Sequence, residues 1–175
     1  NTKITSIHIA DGFQLTEIKD QTFDELSDLE SFVFDGTSKI TSISGKAFAN
    51  DVKLKHFVIP ATVTTIDNGA FLNTPALETV EFKEPAAITT IGSGVFGNSG
   101  IKSINLPESV TTIDKQAFDN CKNLQTISIP KNVTNINTGA FNFCESLTDI
   151  NVDKDNAKYS SLDGMLCTKD KKNTR

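Results

Sequence analysis

The sequence predicts a solenoid of stacked, near-identical coils, and three observations carry the prediction. Phe23, Phe48, Phe71, Phe96, Phe118 and Phe141 follow one another at intervals of 25, 23, 25, 22 and 23 residues. Five residues before each Phe stands an isoleucine, from Ile18 to Ile136, and three before that an apolar residue, from Leu15 to Val133. After each Phe comes an apolar triplet spaced L-x-x-I-x-I, from Leu29/Phe32/Phe34 to Leu147/Ile150/Val152, with Ile4/Ile7/Ile9 as the tail of an earlier repeat. Self-similarity at a period of roughly 20 to 50 residues is the signature of a repeat array.

Each segment has its own local logic. Alternating apolar residues in the I-x-I stretch fit a strand with one face inward, and stacking pairs these strands into a parallel ladder. The Thr column (Thr16, Thr41, Thr64, Thr89, Thr111, Thr134) reads as a structural ladder whose hydroxyls satisfy turn backbone groups or neighbouring threonines. Asp67, Asp114 and Asn137, four before the Phe, look like caps of a short helical turn carrying Ala-Phe. Length varies mainly after the strand, where DGTSK (35–39) and KEPAA (83–87) have turn compositions. The distance from the first apolar position to the Leu is 14 residues, except for 13 in the repeat containing Gly97-Asn98-Ser99-Gly100.

One repeat cannot fold alone. A buried apolar side chain contributes roughly 1.5 to 3 kcal/mol, whereas ordering each backbone residue costs about 1 to 2 kcal/mol. Stacking covers both flat faces of each coil, so stability is shared between nearest neighbours along one axis.

Composition narrows the function classes. The chain has 175 residues, net charge −5 and scattered Lys and Arg, which gives little support to counterion-release binding of nucleic acid. No apolar run reaches the roughly 20 residues of a membrane helix. The chain starts with Asn1 inside a repeat, and the expectation is a fragment whose signal, anchor or further repeats lie outside it.

Several motifs are better read as repeat columns. Gly92-Ser93-Gly94-Val95-Phe96-Gly97 fits G-x-G-x-x-G, but Gly94 shares a column with Gly69 and Gly139, and Phe96 with the other core phenylalanines. Asp153, Asp155 and Asp163 lack the Gly and terminal Glu of an EF-hand loop and read as a linking turn. Cys121 and Cys144 share the position three after the Phe, held elsewhere by Leu26, Asp51, Thr74 and Ser99. Stacked residues present parallel Cβ vectors that do not suit a disulfide, so both are expected to be free buried thiols. No C-x-x-C occurs, and neither metal nor cofactor is expected. His8 and His56 fall in different columns with no nucleophile or carboxylate pair beside them, so no catalytic residue is assigned and the chain is not expected to be an enzyme.

Written out in columns, the sequence resembles the BspA-like, or Treponema-type, leucine-rich repeat family, whose repeats carry L-x-x-I-x-I-P-x-x-V-T-x-I-x-x-x-A-F-x-x-C. Ile101 to Cys121 and Leu124 to Cys144 match best, with Pro107, Val110-Thr111, Ala117-Phe118 and Cys121, then Pro130, Val133-Thr134, Ala140-Phe141 and Cys144. The stretch Asp155 to Leu166 is similar to the family's D-N-x-x-Y-x-S-x-D-G-x-L insert. The fold expected is an α/β right-handed leucine-rich-repeat solenoid, with a parallel sheet on one face and short strands, turns or single-turn helices on the other. Residues 1–153 make about six coils, and 154–175 an inter-repeat insert or the truncated start of further repeats. The resemblance implies a secreted or cell-surface protein that binds host or extracellular-matrix proteins or surface glycans.

The surface available for that role is the exposed side of the I-x-I strands. One column reads His8, Val33, Val58, Glu81, Asn105, Ser128 and Asn151; the other reads Ser6, Ser31, His56, Thr79, Ser103, Thr126 and Asp149. Val33 and Val58, near His56 and Glu81, form a small apolar and ionisable patch, read either as an anchor for a partner protein or as ordinary β-propensity on a half-exposed strand. The class expected is a non-enzymatic binding or adhesion module, with a structural stalk or a glycan-binding module as alternatives.

Overall fold

A computed structural model describes residues 3–169. Fifteen strands follow in order: β1 (Ser6–Ile9), β2 (Glu17–Ile18), β3 (Ser31–Phe34), β4 (Ser42–Ile43), β5 (His56–Ile59), β6 (Thr65–Ile66), β7 (Thr79–Phe82), β8 (Thr90–Ile91), β9 (Ser103–Asn105), β10 (Thr112–Ile113), β11 (Thr126–Ile129), β12 (Asn135–Ile136), β13 (Asp149–Val152), β14 (Tyr159–Leu162) and β15 (Met165–Thr168). The longer strands stack in parallel as β1-β3-β5-β7 and β9-β11-β13, and the two-residue strands as β2-β4-β6 and β8-β10-β12.

The six phenylalanines form one file along the interior. Consecutive ring centroids lie 5.3, 5.2, 5.7, 5.5 and 5.7 Å apart, all in stacked geometry. The inner four are fully buried, while Phe23 and Phe141, at the two ends, are only partly covered. Repeats also coincide in the Thr column: the hydroxyls of Thr41, Thr64, Thr111 and Thr134 each donate to the backbone oxygen of the preceding coil's Thr, at 3.1 to 3.4 Å.

The expected helical turn around Ala-Phe does not form. No helix occurs among the described residues, so the fold is a parallel β-solenoid rather than an α/β repeat. The cause is backbone handedness. In every coil the residues two before and two after the Phe have positive φ, as at Lys46 (55°) and Asn50 (62°) around Phe48, or Gly69 (67°) and Asn73 (59°) around Phe71. Left-handed residues interrupt any right-handed helix, and seven of these twelve are glycine or asparagine, the residues least strained there. Alternate N–H groups then point along the solenoid. Phe23, Phe48, Phe71, Phe96 and Phe118 donate to Ala47, Ala70, Val95, Ala117 and Ala140 of the next coil at 2.8 to 2.9 Å. Asp67, Asp114 and Asn137 therefore cap no helix; Asp114 instead accepts from the side chain of Asn137 in the next coil at 2.9 Å.

Beside these contacts runs an asparagine file. Asn50 donates to Asp24, Asn73 to Asn50, Asn98 to Asn73, and Asn120 to Asn98, at 2.6 to 3.1 Å. Both β-ladders break between β7 and β9 and between β6 and β8, whereas the Phe-centred ladder runs through the break, with Phe71 N–H on Val95 at 2.9 Å.

The segment after β13 closes the last coil. β14 and β15 form an antiparallel hairpin across Asp163 and Gly164, both at positive φ, the geometry of a two-residue primed turn. Buried Asn156 donates to Pro130 and Val133 and accepts from the Lys158 and Tyr159 amides. The Tyr159 hydroxyl accepts from Ile136 N–H at 3.0 Å, and Gly164 oxygen from Ile150 N–H at 2.9 Å. The rest of the expected insert, residues 170–175, lies outside the described residues.

Candidate binding face and its apolar slot

The ladder register aligns the two exposed columns. His8 lies opposite Val33, Val58 opposite Glu81, and Ser128 between Asn105 and Asn151. In the second column Ser31 lies opposite His56, His56 opposite Thr79, and Thr126 between Ser103 and Asp149. Most of these side chains are exposed, with Ser31, Val58 and Thr126 half-buried. His8 Nδ1 sits 3.5 Å from the Asp35 carboxylate, and His56 Nδ1 shares a 2.6 Å hydrogen bond with Thr79 Oγ1.

Val33 and Val58 are not ladder partners. β3 pairs with β5 only through Ser31 and His56, after which the strands part. The junctions differ one residue beyond each strand. Asp35, Lys83 and Asp153 donate their N–H to Ile9, Ile59 and Ile129 of the preceding coil at 2.9 Å. Pro60, Pro107 and Pro130 hold the equivalent positions and have no N–H to donate. Four residue pairs align at each junction closed by a donor. At the proline junctions one pair aligns before Pro60 and three before Pro130, and β7 and β9 are not paired at all before Pro107.

Where β3 and β5 part, a slot of about 520 Å³ opens, within the range of about 300 to 1,000 Å³ usual for ligand pockets. Its walls are mainly apolar, with Phe34, Val33, Val58 and Pro60 prominent, and the His56 ring and Lys83 also line it. Ser38 and Thr62 add hydroxyls, the latter bonded to Ile40 oxygen at 2.6 Å. A second opening, about 400 Å³, lies at the β7/β9 break, and it is polar, with Glu81, Glu84, Ser103 and Asn105 on its walls.

The sequence-predicted patch thus supplies Val33, Val58 and His56 to the slot, while Glu81 faces the other opening. Phe34, Pro60, Lys83, Ser38 and Thr62 were not foreseen. The usable signal was Pro60, because a proline after one strand removes the N–H that the residue after a neighbouring strand supplies.

The motifs read as repeat columns have structural work. The Ser93 amide donates to Asn68 Oδ1, that of Gly94 to Lys115 and that of Gly97 to Gly94, so these amides are spent within the fold. Asp153 accepts from the Asp155 amide in a turn, and among the described residues no group of His, Cys, Asp and Glu is placed to hold a metal. Cys121 and Cys144 are free thiols whose Sγ atoms donate to Phe96 and Phe118 oxygens at 3.0 and 3.1 Å. Hydrogen bonding to Cys121, then burial, pushes the Cys144 thiol above its ordinary range.

Fold and columns together define a leucine-rich-repeat solenoid. The chain belongs to the family of the BspA type leucine rich repeat region, which it matches in six copies over residues 1–78 and 41–161. A leucine rich cell surface protein from Faecalibacterium prausnitzii A2-165 is 32% identical over 96% of this chain, with TM-score 0.83. A leucine-rich repeat protein from Eubacterium ventriosum is 27% identical over 82% of the chain, with TM-score 0.71. A T. pallidum leucine rich repeat protein is 25% identical over 85% of the chain and 70% of its own length, with TM-score 0.77. The chain spans 43% and 37% of the first two. No curated protein matches. No helix among the described residues is long and apolar enough to cross a membrane.

Proposed function

We propose that this chain is a non-enzymatic recognition module of a secreted or cell-surface protein, and that its exposed strand columns bind a host or extracellular-matrix protein. Membership of a leucine-rich repeat family supports the reading, as does similarity to a protein described as a cell surface protein. One observation carries it. Among mild, short, polar columns, Val33 and Val58 place aliphatic surface on the exposed face and line an apolar slot, and protein interfaces concentrate their binding energy in a few well-packed, desolvated pockets ringed by near-neutral contacts.

The test is surface plasmon resonance against a panel of purified extracellular-matrix and serum proteins, with a glycan array in parallel. We expect saturable protein binding that falls at least tenfold in Val33→Asp and is unchanged in Lys131→Gln, far from the slot. A chain that attaches to none of them, or whose attachment ignores Val33, is a spacer; capture only by glycans makes it a lectin.

A further inference from the structure

The slot between β3 and β5 combines features that a generic apolar anchor does not need. We infer that it receives the C-terminal end of a partner polypeptide whose last residues are apolar, a reading that deepens the recognition role above and rests on it.

Three groups specify that chemistry. The walls given by Phe34, Val33, Val58 and Pro60 match an apolar side chain, and the volume of about 520 Å³ holds more than one. Phe34 also carries a backbone oxygen facing the next coil, where the residue due to donate is Pro60. Equivalent oxygens on Ile9, Ile59 and Ile129 each take an N–H at 2.9 Å, so Phe34 has an acceptor that an incoming peptide amide can satisfy. The third group is Lys83. Most lysines beside a facing column pair with a carboxylate of the adjacent coil, as Lys53 with Asp28, Lys55 with Glu30 and Lys102 with Glu78, at 2.6 to 2.8 Å. Lys83 lines the slot with no carboxylate within ion-pair distance among the described residues, so its ammonium is available to an anion.

An apolar side chain, an N–H donor and a carboxylate occur together at a polypeptide C-terminus. A fatty acid brings the apolar chain and the carboxylate but no donor for Phe34, and an internal peptide segment brings a carboxylate only on an Asp or Glu side chain, not on the main chain that carries the N–H. Capture of a terminal carboxylate beside backbone groups is an established mode of peptide recognition. Neutralising Lys83 removes a charge-assisted hydrogen bond, which is stronger than a neutral one.

Fluorescence polarisation tests the inference with a labelled synthetic hexapeptide ending in Ile-Phe with a free carboxylate, its C-terminal amide, and decanoate as competitor. The free acid should bind saturably and at least tenfold more tightly than the amide. Lys83→Gln should erase that difference by weakening the acid alone, and Val58→Asp should abolish binding, with far-UV circular dichroism confirming that each variant is folded. Lys83 is exposed, so its variant reports on binding even where Val58→Asp unfolds. Equal affinity for acid and amide, a Lys83→Gln variant that still discriminates, or decanoate binding more tightly than the peptide overturns the inference. No peptide binding by a chain that still captures a matrix protein through Val33 sinks the C-terminus reading and leaves the recognition reading standing; failure of both assays sinks both.

Discussion

Pro60 stands where a backbone N–H would close the ladder onto Phe34, at the junction where β3 and β5 keep the single aligned pair Ser31/His56. A substitution restoring the donor tests this directly. Pro60→Ala should let position 60 donate to Phe34 and lengthen the β3/β5 pairing. The gained hydrogen bond contributes about 0.5 to 1.5 kcal/mol, offset by about 0.4 to 1 kcal/mol from a freer unfolded chain. Overall stability should therefore move by less than about 1 kcal/mol, while hydrogen exchange shows a slow amide at position 60. A fast amide there would mean that the strands part for another reason.

The interior Phe file should be the steepest determinant of stability. Phe71 and Phe118 are fully buried, and replacing either by Ala leaves a cavity between two stacked rings that should cost about 3 to 5 kcal/mol. Thr64→Ala loses one exposed hydroxyl-to-backbone bond at 3.1 Å and should cost about 0.5 to 1.5 kcal/mol. Phe23→Ala should fall between, because the terminal ring is only partly covered. Urea denaturation of the variants ranks them, and equal losses for Phe71→Ala and Thr64→Ala would remove the file from its role.

The coil register was legible because packing demands it. A ring stacked every 22 to 25 residues fixes which side chains neighbour one another, so the His8/Val33 and Val58/Glu81 alignments follow from counting. The helical turn was misread although its contrary signal was present. Asn50, Asn73, Asn98 and Asn120, with Gly69, Gly94 and Gly139, recur two residues from the Phe, and those are residues that accept positive φ. Aspartates before an Ala-Phe pair suggested capping, but the local pattern weighed less than a backbone that bonds to the next coil. The slot stayed hidden because it opens where one backbone hydrogen bond, from position 60 to Phe34, is missing, and a single missing donor leaves no periodicity.

Phe143 breaks the asparagine file and should be replaceable with profit. It occupies the column of Asn50, Asn73, Asn98 and Asn120 at φ 55°, and the residue is 69% exposed. A left-handed conformation costs an ordinary residue about 1 to 2 kcal/mol, most of which asparagine avoids. Phe143→Asn would also bring a side-chain amide to Asn120 Oδ1, continuing the file. The variant should be stabilised by about 1 kcal/mol or more, raising Tm by about 2 to 4 °C per kcal/mol for a chain of this size. A lowered Tm would show that the ring contributes packing which outweighs its backbone strain.

Asp51 should make the fold lose stability as pH rises from about 4 to about 8. Its carboxyl is fully buried in the column that holds Thr74, Ser99 and Cys121 in later coils. Oδ1 accepts from Leu26 N–H at 2.9 Å, while Oδ2 has no partner among the described residues. Burial pushes the group up to about 8, with the nearby Asp24 charge adding to the rise and the Leu26 amide opposing it. In the unfolded chain the same carboxyl ionises near 3.9. Between those values the folded state keeps a proton that the unfolded state has lost, so stability falls as pH rises from about 4 to about 8 and levels off above. One such site changes stability by at most about 1.4 kcal/mol per pH unit. Asp51→Asn retains an acceptor for Leu26 and cannot ionise, so its urea midpoints at pH 5, 6, 7 and 8 should lie closer together than those of the parent chain. Parallel pH profiles for the two proteins would show that Asp51 is ionised throughout and that the neutral-carboxyl assignment is wrong.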